Sequence, residues 1–302
     1  MRHNTILLWG LLLVLVVGFR ADEPGYKAEI EQWHKARIAS LKSESGWLNL
    51  AGLFWLNEGN NTVGSDTDND LVFPPGKAPA RLGTIRLTDG TVAFEGVAGA
   101  DIRADGQPVS PAQTLFRPDQ TKPVTLSYGS LRWFVIKRGN RYAIRLRDLE
   151  SPFLQAFKGI DRFPTDETYR VQARLEAPTA PTRRTAPTIP ILDVTGQTSQ
   201  QPLVGTLVFE LAGKTHRLDA VAEGEKLFIL FADETNAHDT YGSGRFLYAN
   251  RPPGRDGLVT LDFNQSINPP CAFTPFATCP LPPKQNRLAV AIKAGEKRFG
   301  DH

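Results

Sequence analysis

The chain of 302 residues has no large excess of charge of either sign, since 35 Lys and Arg face 32 Asp and Glu. Its closest basic clusters are two pairs, Arg183-Arg184 and Lys297-Arg298. Nucleic-acid binding requires a basic face or groove. The sequence therefore predicts no nucleic-acid partner. A repeat of fixed period is also missing, which argues against solenoids and propellers.

The signatures of common catalytic chemistries are missing as well. No GxSxG elbow, P-loop or dinucleotide fingerprint occurs in the context that each requires. The only cysteines are Cys271 and Cys279, with seven residues between them, and a zinc site would need His238 and a carboxylate to join them. We expect no metal and no other cofactor. In an oxidising compartment so close a pair favours a disulfide, which would contribute about 2.5 kcal/mol of stability.

Long apolar runs are confined to the N-terminus, where Arg2 precedes the uncharged segment Ile6–Phe19. A helix of this length reaches about 21 Å, less than the roughly 30 Å of a hydrocarbon core. We therefore expect a signal peptide over residues 1–21 and an exported, periplasmic or extracellular protein. Cleavage after Ala21 would leave bulky Phe19 near the cut, so an uncleaved membrane anchor is the alternative. No cysteine follows the run, which argues against a lipoprotein.

The 26 glycines and 23 prolines favour a chain with many turns and mainly β structure. Within residues 22–58 we predict an amphipathic helix and then an apolar covering segment, Gly46–Leu56. The helix is indicated by five apolar residues at roughly helical spacing: Tyr26, Ile30, Trp33, Ile38 and Leu41.

Residues 59–160 predict a β-sandwich, because short alternating runs are broken by turn residues such as Asp89-Gly90. Residues 161–302 predict a second, C-terminal β-sandwich or barrel carrying a proline-rich loop with both cysteines. The strands expected in it are Tyr169–Glu176, Ile189–Val194, Leu203–Leu211, His216–Val221, Leu227–Phe231, Leu258–Phe263 and Leu288–Ile292.

Polar side chains concentrate in two segments of this C-terminal unit, residues 231–250 and 261–288. Loops that carry acids, amides and an arginine beside apolar strands are common places for binding groups. We therefore predict a binding or envelope-associated module, with a polar pocket in the C-terminal unit for an unknown small ligand. The candidate ligand-binding residues are Asp233, Thr235, His238, Tyr241, Arg245, Asp262, Asn264, Asn268 and Asn286.

Two other hypotheses account for the same residues. A hydrolase of unknown substrate would use Asp233, His238 or Asp262 as acid or base. A purely structural protein would use Arg245 to bridge Asp262 or Asp233 and so lock two strands. The sequence leaves the choice among binding module, enzyme and structural protein open, together with the oligomeric state.

Several long phrases resemble the prokaryotic family called domain of unknown function 1684. They are GWLNLAGLFWLNEGNNTVGSDTDND, TYGSGRFL, LDFNQSINPPCAFTPFATCPLPPKQN and IKAGEK. The resemblance spans nearly all of the chain after the export segment and implies no activity.

A weaker resemblance links VGSDTDNDLVFP, RLGTIRLTDGTVAF and RADGQPV to forkhead-associated domains. It implies a β-sandwich in the N-terminal half. The residues that read phosphothreonine in that fold are replaced by Ser65, Ala80, Gly83 and Asp105. Without a guanidinium and a hydroxyl to hold the phosphate, phosphopeptide binding is not expected.

Overall fold

A computed structural model describes residues 25–109, 112–178, 187–252 and 257–300 of the chain. The predicted signal peptide, residues 1–21, lies outside these residues. Mainly β structure is confirmed: one longer helix precedes several sheets in two successive units. Within the described ranges no helix has the length and apolarity needed to span a membrane.

Helix α1, Tyr26–Lys42, confirms the predicted N-terminal helix. Ile30 and Leu41 are its buried residues, whereas Trp33 remains partly exposed. The helix ends at Ser43, whose backbone N–H donates to the carbonyl of Ser40.

The first β unit packs two sheets face to face, in the orders β1-β11-β10-β9-β6-β7 and β3-β2-β4-β5-β8. Its core includes Trp133, whose ring meets Phe73 and Phe94 edge to face at 5.4 and 6.1 Å. The strands are β1 Leu50–Trp55, β2 Gly59–Gly64, β3 Leu71–Val72, β4 Gly83–Thr88, β5 Thr91–Gly96, β6 Arg103–Ala104, β7 Gln107–Pro108, β8 Ala112–Phe116, β9 Leu126–Tyr128, β10 Leu131–Arg138 and β11 Arg141–Asp148.

Two details of this unit follow from local sequence. Asp89 and Gly90 both have positive φ, 48° and 78°, which is the type I′ turn that joins β4 and β5. The apolar covering segment is itself strand β1, which pairs with β11 along Leu50–Trp55. The sandwich therefore begins near Leu50, ahead of the boundary predicted at residue 59.

The second unit is a sheet in the order β17-β16-β15-β14-β12-β18, with β13 added to β14. Its end strands β17 and β18 contact each other, so the sheet nearly closes as a barrel. After helix α2, Pro152–Ala156, the strands are β12 Arg170–Glu176, β13 Thr188–Leu192, β14 Thr198–Leu211, β15 Lys214–Glu223, β16 Lys226–Phe231, β17 Arg245–Asn250 and β18 Leu258–Asp262. Short 3-10 helices occur at Glu167–Tyr169, Phe263–Gln265, Pro270–Ala272 and Lys284–Asn286.

One predicted strand of this unit is wrong, and one observed strand was missed. Leu288–Ile292 forms no strand, although both end residues are buried in the barrel core. Its backbone bonds partly to side chains instead: the Ile292 N–H donates to Asp233 Oδ1 at 3.1 Å. Strand β17 was missed because its polar neighbours made the segment resemble a loop.

Alternation along β16 separates two apolar clusters. Leu227, Ile229 and Phe231 point into the barrel, whereas Phe228 and Leu230 belong to a cluster on its outer face. Side-chain bonds connect this outer side to the first unit, as between Arg138 and Thr278. The outer face of the barrel is therefore available to form a site between the two units.

Candidate functional site

Arg245, predicted as a ligand residue, lies in a buried ion pair with Asp233, Nη2 to Oδ2 at 2.8 Å, and both side chains are 0% exposed. The guanidinium also donates to the carbonyls of Ile292 and Ala294. Gly244, with φ of 97°, forms the turn before Arg245, where an added Cβ would lie 2.6 Å from the carbonyl oxygen of Phe231. Arg245 thus joins β17 to the C-terminal segment, and its partner is Asp233 rather than Asp262.

Asp262 and Asn264 hold helix α1 against the barrel. Asp262 Oδ1 accepts the Tyr26 hydroxyl at 2.8 Å, and Asn264 Nδ2 donates to the Asp166 carbonyl at 2.8 Å. Burial, followed by the bond to Asp262, raises the pKa of Tyr26 well above its usual value. These side chains connect elements far apart in the chain.

Asn286 and Asn268 bond mainly to backbone. Asn286 Nδ2 donates to the carbonyls of Asp219 and Leu230, at 2.9 and 2.8 Å. Asn268 Nδ2 donates to the Lys297 carbonyl at 2.8 Å, while its Oδ1 is buried without a hydrogen-bond partner.

Of the remaining predicted residues, Thr235 belongs to the network of Asp233 and Arg245. The Thr235 hydroxyl donates to Asp233 Oδ1 at 2.6 Å, His238 is exposed, and Tyr241 is half-buried in an apolar cluster beside Phe273. The nine candidate residues are therefore divided among separate hydrogen-bond networks. Asn268 is the member that reaches the cavity described next.

A cavity of about 360 Å³ lies between the two β units. Arg138 at the end of β10 and Arg145 on β11 come from the first unit. The barrel's outer face contributes Phe228, Phe246 and Tyr248. Arg37 of α1, Trp47 and the loop that carries Cys279 complete the walls.

Arg145 is the most unusual group in this cavity. It is 6% exposed, yet no carboxylate in the described residues lies within ion-pair distance of it. Its Nε has no hydrogen-bond partner, and its Nη2 reaches the Thr278 hydroxyl at 3.5 Å. Burial and the positive charges of Arg138 and Arg147 lower the pKa of Arg145 to about 10. The guanidinium therefore remains charged at neutral pH.

Arg138 adds a second positive charge next to the first. Its Nε donates to the same Thr278 hydroxyl at 3.0 Å, so one oxygen accepts hydrogen bonds from both arginines. Arg37 differs, because Glu296 Oε1 lies 3.1 Å from its Nε. The charge left uncompensated in the cavity thus belongs to Arg138 and Arg145.

The opposite wall is aromatic. The Phe228 ring stacks on Tyr248 at 4.9 Å and meets Phe246 edge to face at 4.9 Å. At the rim, Glu223 is exposed to solvent, and partial loss of hydration raises its pKa. The cavity therefore combines a cationic wall with an apolar wall, which suits an anion with an apolar body.

Cys271 and Cys279 are both free thiols in this structure. The backbone N–H of Cys271 donates to Cys279 Sγ at 2.9 Å, so the two residues are in contact. The disulfide stays a prediction. Among the residues that the structure covers, no group of three or more His, Cys, Asp or Glu could hold a metal ion.

Residues 155–297 match the family described as "Protein of unknown function (DUF1684)". An uncharacterized protein of Haloarcula marismortui is 31% identical; the match covers 50% of this chain and 83% of that one, with a TM-score of 0.41. The chain belongs to the DUF1684 family. No curated protein matches it.

The solved structures similar to this DUF1684 protein include forkhead-associated domains. One comes from work on phosphothreonine-dependent interactions of these domains, at 16% identity, covering 32% of this chain and 92% of that one, with a TM-score of 0.22. The cytoplasmic domain of PscD, a T3SS sorting platform protein of P. aeruginosa, is 20% identical, covering 43% and 84%, with a TM-score of 0.21. These similarities are weak.

Arg138 and Arg145 lie outside the segment that matches the DUF1684 family, and the sequence prediction missed both. A signal was present in RYAIRLRD, where Arg141, Arg145 and Arg147 alternate with apolar residues along β11. Strand geometry puts alternate residues on one face. Three arginines on a strand that also has buried aliphatic residues indicate a cationic sheet face.

Proposed function

We propose that this DUF1684 protein is a binding module for a small organic anion, which occupies the cavity between the two β units. The observation that carries this proposal is Arg145, a buried guanidinium with no carboxylate partner. A buried unpaired charge costs several kcal/mol, at least in part because it loses its hydration. An anion in the cavity would offset that cost.

The chemistry of the cavity supports the proposal. A guanidinium offers parallel N–H donors that match carboxylate or phosphate oxygens, and Arg138 stands beside Arg145. The cavity volume of about 360 Å³ falls in the range of about 300–1,000 Å³ that small-molecule sites occupy. Phe228 and Tyr248 supply an apolar surface for the rest of the ligand.

Isothermal titration calorimetry of the purified protein tests this proposal with octanoate, benzoate and octyl phosphate against neutral octanamide. We expect at least one anion to bind and octanamide not to. Arg145→Gln should weaken binding about 10- to 100-fold, the usual loss for a hydrogen bond to a charged group. Arg86→Gln is the matched control, since Arg86 is exposed and bonds to Asn60. Equal binding of acid and amide, or undiminished binding by Arg145→Gln, would contradict the proposal.

We also propose that the protein is exported. The uncharged segment Ile6–Phe19 after Arg2 supports export, and two cysteines so close in sequence suit an oxidising compartment. N-terminal sequencing of protein recovered from cell fractions should give a first residue between Phe19 and Asp22. Intact Met1 in the membrane fraction would indicate an anchor instead, and intact Met1 in the cytosol would contradict export.

In the exported protein we propose that Cys271 and Cys279 form a disulfide. Their contact supports this pairing, and the bond would fix the loop that forms one wall of the cavity. Mass spectrometry of the alkylated protein, with and without prior reduction, should show two thiols only after reduction. Labelling of both thiols without reduction would contradict the pairing.

A further inference from the structure

A second cavity of about 250 Å³ adjoins the first. Glu223, Phe228 and Pro280 line both cavities, so the two cavities are neighbours that share these three residues as walls. Arg138 and Arg145 line the first cavity alone. The second cavity, called the branch below, has no arginine among its lining residues.

The branch is built from side chains of four strands, which pair in the order β13-β14-β15-β16. Ile191 of β13, Val221 of β15 and Leu230 of β16 are all buried members of the outer cluster. Gln201 of β14 is its one neutral polar side chain and is half-buried. The walls of the branch are thus mainly aliphatic.

We infer that the ligand is an aliphatic anion, whose headgroup contacts Arg145 and Arg138 while its hydrocarbon chain passes Phe228 into the second cavity. This inference rests on the proposed function and names the ligand class of the same site. Each buried methylene should strengthen binding about fourfold, because apolar surface leaves water.

The lining of the branch separates this class from others. A sugar or peptide would bring several hydrogen-bonding groups, and each would lose its water without gaining a partner beside Ile191, Val221 and Leu230. Only Gln201 and Glu223 could serve such groups in the branch.

Calorimetry with two homologous series, saturated monocarboxylates and alkyl phosphates of four, eight and twelve carbons, tests this inference with the full chain. In at least one series the affinity should rise steeply with chain length, by about fourfold per methylene until the branch is full. The two series also identify which headgroup the arginines select.

Two substitutions should shift the preferred length in opposite directions. Gln201→Phe narrows the branch from its half-buried rim and should weaken the twelve-carbon ligand about tenfold or more, with little effect on the four-carbon ligand. Leu230→Ala lengthens the branch and should favour longer chains. Leu207→Ala is the matched control, since Leu207 is buried inside the barrel and away from the branch.

The outcomes separate the two proposals. Chain-length dependence that Gln201→Phe removes would support the aliphatic ligand. Binding that depends on Arg145 but is independent of chain length, or tighter binding of benzoate than of octanoate, would overturn the aliphatic ligand and leave the anion site standing. No binding of any anion would remove the proposed function itself. Thermal melting of each variant verifies that it is folded.

Discussion

Arg245 and Arg145 are both buried arginines on strands, but their surroundings differ. Arg245 has Asp233 and two backbone carbonyls around its guanidinium. Arg145 has one distant bond to a hydroxyl that it shares with Arg138. In both residues Nε lacks a hydrogen-bond partner, so the difference lies in whether a carboxylate compensates the positive charge. The Arg245 charge is compensated by Asp233, whereas no carboxylate among the described residues pairs with Arg145.

Replacement of Arg245 should have the largest effect on stability. Arg245→Met leaves the Asp233 carboxylate buried without its counter-charge, which should cost about 3–5 kcal/mol of unfolding free energy. Adding Asp233→Asn removes that charge and should recover part of the loss, because the amide oxygen can still accept the Thr235 and Ile292 bonds. Urea denaturation measures both variants. A loss below about 1 kcal/mol would place the pair among weak ion pairs.

Ligand should stabilise the protein through Arg145 and not through Arg245. A bound anion at a hundred times its dissociation constant should raise the unfolding free energy by about 2.7 kcal/mol. The same concentration should raise the unfolding free energy of Arg145→Gln by only about 0.4–1.4 kcal/mol, because its binding is expected to be about 10- to 100-fold weaker. Differential scanning fluorimetry with octanoate and octanamide measures this shift. An equal shift in wild type and Arg145→Gln would mean that the anion binds elsewhere.

Replacement of Arg145 should have a smaller effect, of opposite sign. Without ligand, Arg145→Met removes an uncompensated buried charge and should stabilise the protein by about 1 kcal/mol. Arg147→Met is the matched variant on the same strand, and it should destabilise, since Arg147 donates to Asn49 Oδ1 at 2.7 Å and to the Gly46 carbonyl. If both substitutions destabilise equally, Arg145 is a structural residue like Arg245.

The pH dependence of stability provides the finest test of whether Arg145 is unpaired. A Glu223 carboxylate paired with Arg145 would have a lowered pKa, whereas partial burial raises it above its usual 4.5. Its contribution to stability is then present below the unfolded pKa and lost as the pH rises through the folded pKa. As the pH rises through the folded-state pKa of Glu223, the wild type should therefore lose unfolding free energy relative to Glu223→Gln. The opposite slope would identify Glu223 as the partner of Arg145.

Local sequence was enough to predict most of the helices and strands, but not how they pack together. Asp89-Gly90 specified its hairpin because only residues that tolerate positive φ suit that turn. Leu288–Ile292 was mistaken for a strand because a run of apolar residues indicates that a segment is buried. It does not indicate that the backbone pairs with another strand.

The site was harder to predict for a related reason. The prediction chose Arg245 and Asp262 because polar residues are concentrated in their segments. Both side chains instead form hydrogen bonds that join parts of the fold. Arg138, Arg145 and Phe228 come together only when the outer faces of two separate units meet. That juxtaposition is set by tertiary packing, and no spacing within one segment encodes it. The hypothesis of a purely structural protein had Arg245 bridge Asp262 or Asp233, and the ion pair with Asp233 is present.

The contacts of α1 have a consequence for the order in which the protein can be completed. Tyr26 bonds to Asp262 across 236 positions, and Arg37 to Glu296 across 259. The helix is synthesised before both β units, yet Asp262 and Glu296 lie near the end of the chain, so neither of these bonds can form until nearly the whole chain has been synthesised. A chain that ends early, before Glu296, would lose the Arg37 anchor and with it one wall of the cavity. Under the proposed function, only a chain synthesised through Glu296 would form the complete anion site.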